Sequence, residues 1–388
     1  MRRMIIFTGK GGVGKTTTAA AHAVKAAKEG IKTLIVSTDM AHNLSDLFMK
    51  EIKEEPIEIL NNLFALEIDS NYEMNRHYGS ISRAFKNMIT FKSEEDQEIM
   101  EDMVVFPGIE ELFSLIKIQE LYDKSIYDLI IVDCAPTGET LSLLKFPELF
   151  SWYMEKLFPV GKVAMKVLRP ISKVAFKLDM PDERALNDIE KLYVKLGKLQ
   201  SLLKDREVCS IRLVTVPEKM VIEESKRSYM YLNLYNFNVD GLYINRIIPE
   251  EIDNSFFDQW KQIQKNYLDE INLVFSNIPI YKVKWYEVDI NGVEGLERVV
   301  RDSLQDENIF KVLKTRINET FEKTEKGYCL NVYVPFTDKK DFDLFESGTD
   351  IIVKIGNFKR NIPIPNIIRK YSIASAKLNE EVLKIYFE

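Results

Sequence analysis

Short, almost continuously apolar runs recur along the first part of the chain, and helix-length segments separate them. Such runs are typical of strands that are buried on both faces of a sheet. Helical segments such as 16–29, which Gly30 should end, make βαβ units, so the expected fold class is α/β with a parallel sheet flanked by helices. The predicted strands are Met4–Thr8, Thr33–Thr38, Phe64–Ile68, Asp128–Val132, Ser210–Val216 and Gly241–Asn245.

Two helix-rich insertions interrupt this alternation, at about residues 71–121 and 149–203. The first carries an acidic run from Glu94 to Asp102. The second carries an apolar stripe at a spacing of three or four residues, and Pro170 should break or kink its helix. Basic residues follow the same spacing beside that stripe, namely Lys162, Lys166, Arg169, Lys173 and Lys177.

The pattern changes near the C-terminus, where short alternating segments are separated by turns. They predict a small antiparallel β-sandwich over residues 327–388. We expect a first domain at 1–318 and a polar linker at 319–326. The strands predicted for the sandwich are Cys329–Val334, Asp350–Ile355, Ser372–Leu378 and Val382–Phe387.

Composition narrows the classes of function. The formal net charge of −7 argues against broad nucleic-acid binding, which usually needs a basic excess. No apolar run is long enough to span a bilayer, and the N-terminal run is too short for a signal peptide. The 3 cysteines are far apart in sequence and form no CxxC pair, so neither a zinc site nor a disulfide is expected. A cytoplasmic protein is the simplest interpretation.

The segment Gly9–Thr17 matches the phosphate-binding loop pattern GxxxxGK[ST], directly after a strand and directly before a helix. In that setting backbone N–H groups and the helix N-terminus converge on the phosphates of ATP. Lys15 should bridge the β- and γ-phosphates, and the Thr16 hydroxyl should ligate Mg²⁺. The alternative is a glycine-rich turn with a structural role. The predicted nucleotide-binding residues here are Gly9, Lys10, Gly11, Gly12, Val13, Gly14, Lys15, Thr16 and Thr17.

Lys10 is a second lysine inside the loop, which makes this the variant GKGGxGK[ST] form. In proteins with this form the lysine acts from the opposite subunit, much as an arginine finger does. The alternative is a solvated loop lysine.

Asp39 and Asp133 each end a predicted strand, at the sheet edge where ligands bind in such folds. Asp133 stands where a Walker-B carboxylate would hold a water on Mg²⁺. Asp39 could orient or deprotonate the attacking water. Either carboxylate could instead cap the following helix.

Two segments carry a family resemblance. Residues 37–46 resemble the switch I segment of the ArsA family of ATPases, and residues 133–141 resemble its switch II. The family includes arsenite-pump ATPases and ATPases that deliver tail-anchored membrane proteins. The resemblance implies a P-loop ATPase that works as a homodimer, with Asp39 as the catalytic acid and Lys10 crossing to the partner. It also places Glu218 and Asn245 at the nucleotide, where an asparagine amide suits adenine.

The C-terminal segment is similar to the small-heat-shock-protein-like domain that many bacterial ArsA-like ATPases carry. Val353–Asn361, followed by Pro363 and Pro365, carries that likeness. It implies a bacterial member with a single ATPase domain.

Some positions depart from the family pattern. Met40, Cys134 and Glu139 stand where the family usually has proline, threonine and histidine. The cysteine cluster that binds arsenite and the CxxC that clamps some dimers are both missing from the sequence.

Three functions fit these observations. We favour an ATP-switched chaperone or targeting factor whose basic amphipathic insertion binds a hydrophobic client helix or contacts a membrane surface. The same stripe could simply pack on the protein's own sheet or on its dimer mate. The alternatives are the energising subunit of an arsenite or anion pump, and a MinD- or ParA-like regulatory ATPase on membrane or DNA.

Overall fold

The structure, a computed structural model, consists of an α/β unit followed by a β-sandwich. Everything below refers to the residues that it describes, which are 2–39, 43–70, 72–73, 109–135, 138, 141, 144, 183–313, 315–338, 341–347 and 350–388. The acidic run from Glu94 to Asp102 and the basic amphipathic stretch around Pro170 lie outside these residues. Of the two predicted insertions, the structure describes a few residues at the start of the first, its final helix and the last helix of the second.

An 8-stranded sheet forms the centre of the first unit, in the order β3-β4-β2-β5-β1-β6-β7-β8. All pairings are parallel except that of β3 with β4, which confirms the predicted fold class and adds one antiparallel edge strand. The strands are β1 (Arg3–Thr8), β2 (Thr33–Ser37), β3 (Ile57–Leu60), β4 (Leu63–Glu67), β5 (Leu129–Asp133), β6 (Cys209–Thr215), β7 (Val239–Ile247) and β8 (Ile280–Lys284).

Helices cover both faces of this sheet. Because side chains alternate along a strand, Ile5 and Phe7 face one layer while Met4 and Ile6 face the other. Alanines fill the sheet-facing side of the first helix, which therefore packs close to the strands. The helices are α1 (Lys15–Lys28), α2 (Asn43–Phe48), α3 (Ile109–Asp123), α4 (Glu183–Lys204), α5 (Lys219–Leu234), α6 (Ser255–Val274) and α7 (Gly292–Ser303).

The C-terminal unit is an antiparallel sandwich of two sheets, ordered β14-β15-β10-β9 and β11-β12-β13. The predicted linker at 319–326 is wrong, because Glu319–Lys323 pairs with the next strand along the chain as part of the first of these sheets. The strands are β9 (Glu319–Lys323), β10 (Tyr328–Tyr333), β11 (Phe342–Ser347), β12 (Asp350–Ile355), β13 (Phe358–Pro363), β14 (Ile373–Asn379) and β15 (Val382–Phe387).

The two units share one hydrophobic core. Residues of α5 and of the sandwich strands belong to the same buried cluster, which also contains one face of the large sheet. Within the described part of the chain, no helix is both long and apolar enough to cross a bilayer.

A buried polar network ties α1 to β6 and β7. His22 Nδ1 lies 2.7 Å from the Thr18 carbonyl oxygen, and its Nε2 lies 2.9 Å from the Tyr243 hydroxyl. A carbonyl can only accept, so Nδ1 carries the proton and Nε2 accepts from Tyr243, whose oxygen in turn accepts from Arg212 at 3.1 Å. Burial, together with the charge of Arg212, holds the pKa of His22 well below its usual value. The native state therefore keeps this imidazole neutral.

We expect stability to fall on acidification because of His22. Below about pH 6.5 the unfolded chain protonates this histidine and the folded chain does not, which costs up to about 1.4 kcal/mol of unfolding free energy per pH unit. Urea unfolding of the wild type and of His22→Gln between pH 8 and pH 5.5 measures this contribution. The unfolding free energy should depend less steeply on pH in His22→Gln than in the wild type. The difference in slope should correspond to about one bound proton. Equal slopes in the two proteins would contradict the assignment.

Candidate active site

The loop between β1 and α1 lies tightly against the neighbouring strands. A Cβ on Gly9 would lie 2.2 Å from the Val214 carbonyl oxygen of β6. Gly14 has a φ of +89°, and a Cβ there would lie 2.2 Å from Asn245 Nδ2. Both positions therefore require glycine, one for the close approach of two main chains and the other also for its left-handed backbone.

The two lysines of the loop occupy different surroundings. Lys15 is only 7% exposed, and its ammonium donates to the Lys10 carbonyl oxygen at 3.3 Å. The Lys10 side chain is 37% exposed, and its ammonium lies 3.7 Å from the Glu224 carboxylate of α5. Lys15 lines the cleft in front of the loop, whereas Lys10 lies outside that lining. The structure thus separates the two charges.

Thr16 and Asp133 meet where the loop reaches the end of β5. The Thr16 hydroxyl donates to Asp133 Oδ2 at 2.7 Å. The other carboxylate oxygen, Oδ1, is buried and has no hydrogen-bond partner among the described residues. The pKa of Asp133 is raised to about 7, mainly by burial and to a smaller extent by nearby Asp39, while Thr16 and Lys15 oppose the shift.

This pair fits a divalent cation. Mg²⁺ takes oxygen ligands such as hydroxyls, waters and carboxylates, and a desolvated carboxylate with an unpartnered oxygen favours a cation nearby. Thr16 would hold it directly and Asp133 through water, where the ion would offset phosphate charge. Among the described residues no group of three or more His, Cys, Asp or Glu side chains is arranged as a metal cage.

Asp39 lies just after β2 and is held from two sides. Its backbone N–H donates to Ser37 Oγ at 3.2 Å, and Asn43 at the start of α2 donates to Asp39 Oδ2 at 3.1 Å. Asn43 is a site residue that sequence reasoning did not single out. Its position four residues after Asp39, at the first turn of a helix, was the available signal.

The site opens into a cleft of about 2000 Å³. It brings together most of the predicted loop residues with Asp39, Glu218 and Asn245. Within the loop the Val13 side chain is buried, whereas Glu218 is exposed at the N-terminal end of α5. The loop residues that line the cleft are Gly11, Gly12, Gly14, Lys15, Thr16 and Thr17.

Asn245 has a different contact from the one expected. Its Nδ2 donates to the Val13 carbonyl oxygen at 2.8 Å, and its Oδ1 accepts from the Arg246 N–H at 2.8 Å. Arg246 in turn donates to the Gly12 carbonyl oxygen at 2.7 Å. The end of β7 therefore supports the loop from below, and the adenine contact assigned to Asn245 stays a prediction.

An aromatic wall stands in the same cleft, formed by residues from α6 and from the segment after β8. Trp260 is 51% exposed and Trp285 is 49% exposed. The Phe257 and Trp285 rings meet edge to face at 6.3 Å. No single motif marks these residues, because α6 and the strand end come together only in the folded chain.

Comparison with known proteins decides what this site belongs to. Residues 2–305 match the family described as anion-transporting ATPase, and residues 325–387 match the HSP20-like domain found in ArsA. The chain belongs to the ArsA family of ATPases. It is thus an ATPase. The family that two short segments predicted is confirmed by matches over residues 2–305 and 325–387.

Relatives extend over most or all of the molecule. A protein named arsenical pump-driving ATPase 1 from Aquifex aeolicus is 34% identical over 395 residues, covering 99% of each chain. A protein named arsenical pump-driving ATPase from Chlorobaculum tepidum is 34% identical over 390 residues, covering 100% of this chain and 96% of its own. The ATPase get3 of Pyrenophora tritici-repentis is 28% identical over 313 residues, covering 76% of this chain and 89% of its own.

One of the three departures from the ArsA pattern can be located. Cys134 is buried directly after Asp133 and packs in the core as a small side chain. Met40 and Glu139 lie outside the described residues. Cys209 and Cys329 are also buried, and none of these three described cysteines forms a disulfide.

We predict that Gly9→Ala weakens ATP binding. The added methyl would meet the β6 main chain, which cannot rotate away, so the loop must move off the sheet. Overpacking of this kind costs about 1–3 kcal/mol, and the same free energy lost from binding corresponds to about a five- to 150-fold loss of affinity. Titration calorimetry with ATP and Mg²⁺ measures it.

Gly197→Ala in α4 is the matched control, because a Cβ there meets no atom within 4 Å. It should bind ATP as the wild type does and unfold at a slightly higher temperature, since alanine favours a helix. Unchanged ATP affinity in Gly9→Ala would show that the close approach to β6 is dispensable.

Proposed function

We propose that this ATPase works as a homodimer in which binding and hydrolysis of ATP, with Mg²⁺, drive capture and release of a hydrophobic helix of a client membrane protein. Asp39 would orient the attacking water, Lys15 would contact the phosphates, and Lys10 would act on the partner's site. The absence of a disulfide among the three described cysteines is consistent with a cytoplasmic setting.

The placement of Lys10 is the observation that carries the dimeric part. Its ammonium points to Glu224 at the outer side of the loop and lies outside the lining of the cleft that its own loop faces. A lysine that served its own phosphates would be expected beside Lys15. A partly exposed Lys10 outside the cleft is instead placed to contact the phosphates bound by a second copy of the chain, as an arginine finger does.

The support for a hydrophobic client comes from sequence. The basic amphipathic stretch around Pro170, which lies outside the described residues, combines an apolar stripe with flanking cations. Met154, Met165 and Met180 nearby suit an adaptable apolar surface. The sequence has no CxxC pair and its 3 cysteines are each buried, so these residues do not present an exposed thiol pair to arsenite.

Two variants with complementary defects test the dimer. We expect Asp39→Asn to keep ATP bound but to cleave it slowly, and Lys10→Ala to lose at least about 100-fold in turnover, as when a finger residue is removed. The two variants are coexpressed with different tags, and their heterodimer is purified through both tags. This heterodimer should regain about half of the wild-type turnover. Its Lys10→Ala subunit would keep Asp39 and would receive Lys10 from the partner.

If Lys10 serves its own site, neither subunit of that heterodimer is complete, and its turnover stays at the level of the two homodimers. Failure to isolate any mixed species over both tags would contradict the homodimer itself. A mixed dimer of wild type with wild type, carrying the same two tags, sets the reference activity.

A second candidate is the energising subunit of an arsenite or anion pump. It is favoured by the names of the full-length relatives from Aquifex aeolicus and Chlorobaculum tepidum. The cysteines do not favour it, because the sequence has no CxxC pair and each of the three thiols is buried away from solvent.

ATP turnover by the full chain separates these candidates. An apolar transmembrane-type peptide should change turnover several-fold and should co-elute with the Asp39→Asn protein only in the presence of ATP. The same peptide with two central lysines is the matched control and should do neither. Stimulation by sodium arsenite without any effect of the apolar peptide would favour the pump.

A further inference from the structure

The ring of Tyr231 lies at a junction of three parts of the molecule. Tyr231 belongs to α5, is 2% exposed, and its hydroxyl donates to the Leu141 carbonyl oxygen at 2.9 Å. Leu141 is itself buried and belongs to the segment that starts at Asp133. A hydrogen bond this deeply buried is costly to leave unmade, so the hydroxyl fixes the position of that carbonyl.

The sandwich holds the same ring from the other side. Phe358 of β13 packs against Tyr231 edge to face with centroids 4.8 Å apart. Tyr235, directly after the end of α5, stacks on Tyr231 with ring centroids 4.6 Å apart, and its hydroxyl donates to the Lys359 carbonyl oxygen at 2.5 Å. Arg360 adds a donor to the Leu234 carbonyl oxygen at the end of α5 and an ion pair with Glu319.

The opposite end of α5 reaches the nucleotide loop. Glu224 lies 3.7 Å from the Lys10 ammonium, and Glu218 precedes the helix at the mouth of the cleft. One rigid helix therefore contacts the loop lysine, the segment after Asp133 and the sandwich. The position of Leu141 is therefore tied to the sandwich while Tyr231 keeps both contacts.

We propose that Tyr231 is a positioning residue for ATP hydrolysis: its hydroxyl holds the carbonyl of Leu141, eight residues after Asp133, and the C-terminal sandwich braces its ring through Phe358. The proposal depends on the ATPase activity of the family and not on the identity of any client. Basal turnover without client is therefore its readout, and it stands or falls separately from the client proposal.

Tyr231→Phe tests the first part, because it removes only the hydroxyl and keeps the ring. Without this donor the buried carbonyl of Leu141 loses its partner and is no longer held in place. We expect kcat to fall about five- to tenfold while KM for ATP stays unchanged. Tyr235→Phe is the matched control, since it keeps the ring that stacks on Tyr231 and removes only a hydroxyl whose partner is the Lys359 carbonyl oxygen.

Similar unfolding temperatures for Tyr231→Phe and Tyr235→Phe would show that a difference in their kcat values comes from positioning and not from folding. A kcat for Tyr235→Phe close to that of the wild type completes the expected result. Equal kcat values for the two variants, or a kcat for Tyr231→Phe at or above the wild-type value, would overturn the proposal.

Phe358→Leu tests the part played by the sandwich. It removes the aromatic contact with Tyr231 and should lower kcat in the same direction by a smaller factor. If Phe358 affects turnover only through Tyr231, the double variant Tyr231→Phe with Phe358→Leu turns over ATP about as fast as Tyr231→Phe alone. Independent, multiplicative losses would show that the sandwich does not act through Tyr231.

Discussion

The close approach of the loop after β1 to its neighbours is the constraint on which the rest of the site depends. Its main chain lies against the Val214 carbonyl oxygen of β6 and against Asn245 of β7. Since β1 pairs with β5 on one side and β6 on the other, the register of the sheet also sets where Thr16 meets Asp133. A phosphate cradle made of backbone N–H groups works only if those groups keep their direction. Here the buried central strands hold them, and a ligand need not order the loop.

The packing of the loop against the central strands also buries the carboxylate of Asp133 away from solvent. A buried acid with one oxygen unpartnered among the described residues destabilises the chain when ionised, and the raised pKa of Asp133 expresses this. Next to the loop, the network around His22 keeps an imidazole neutral with a complete set of partners. Helix α1 is therefore anchored along its length, by Thr16 to β5 and by His22 to β7. Only the Asp133 end is left with unsatisfied charge, as expected of the end that binds a ligand.

The sequence allowed the central strands and the phosphate loop to be predicted because both depend on local signals. Strands buried on both faces read as apolar runs, and the loop has a fixed spacing of glycine and lysine. The strands that were missed are edge or half-exposed ones, such as β3 and β8, whose polarity is mixed. β9 was mistaken for a linker because an edge strand of a small sheet can carry charged residues. Arg246 and the aromatic wall could not be predicted, since their contacts join segments far apart in the chain.

Helix α5 explains why a small β-domain can matter to a nucleotide site that it does not line. Phe358 and Arg360 pack on the C-terminal end of this helix, and the buried cluster runs without a break from the large sheet into the sandwich. Two units that share a core cannot separate without exposing apolar surface, which costs about 25 cal/mol per Å². The sandwich therefore cannot be a tethered appendage that swings freely. Any displacement of Leu141 that keeps its hydrogen bond to Tyr231 must either move the sandwich or be resisted by it. In the role proposed for Tyr231, this is the route by which the C-terminal domain would influence hydrolysis.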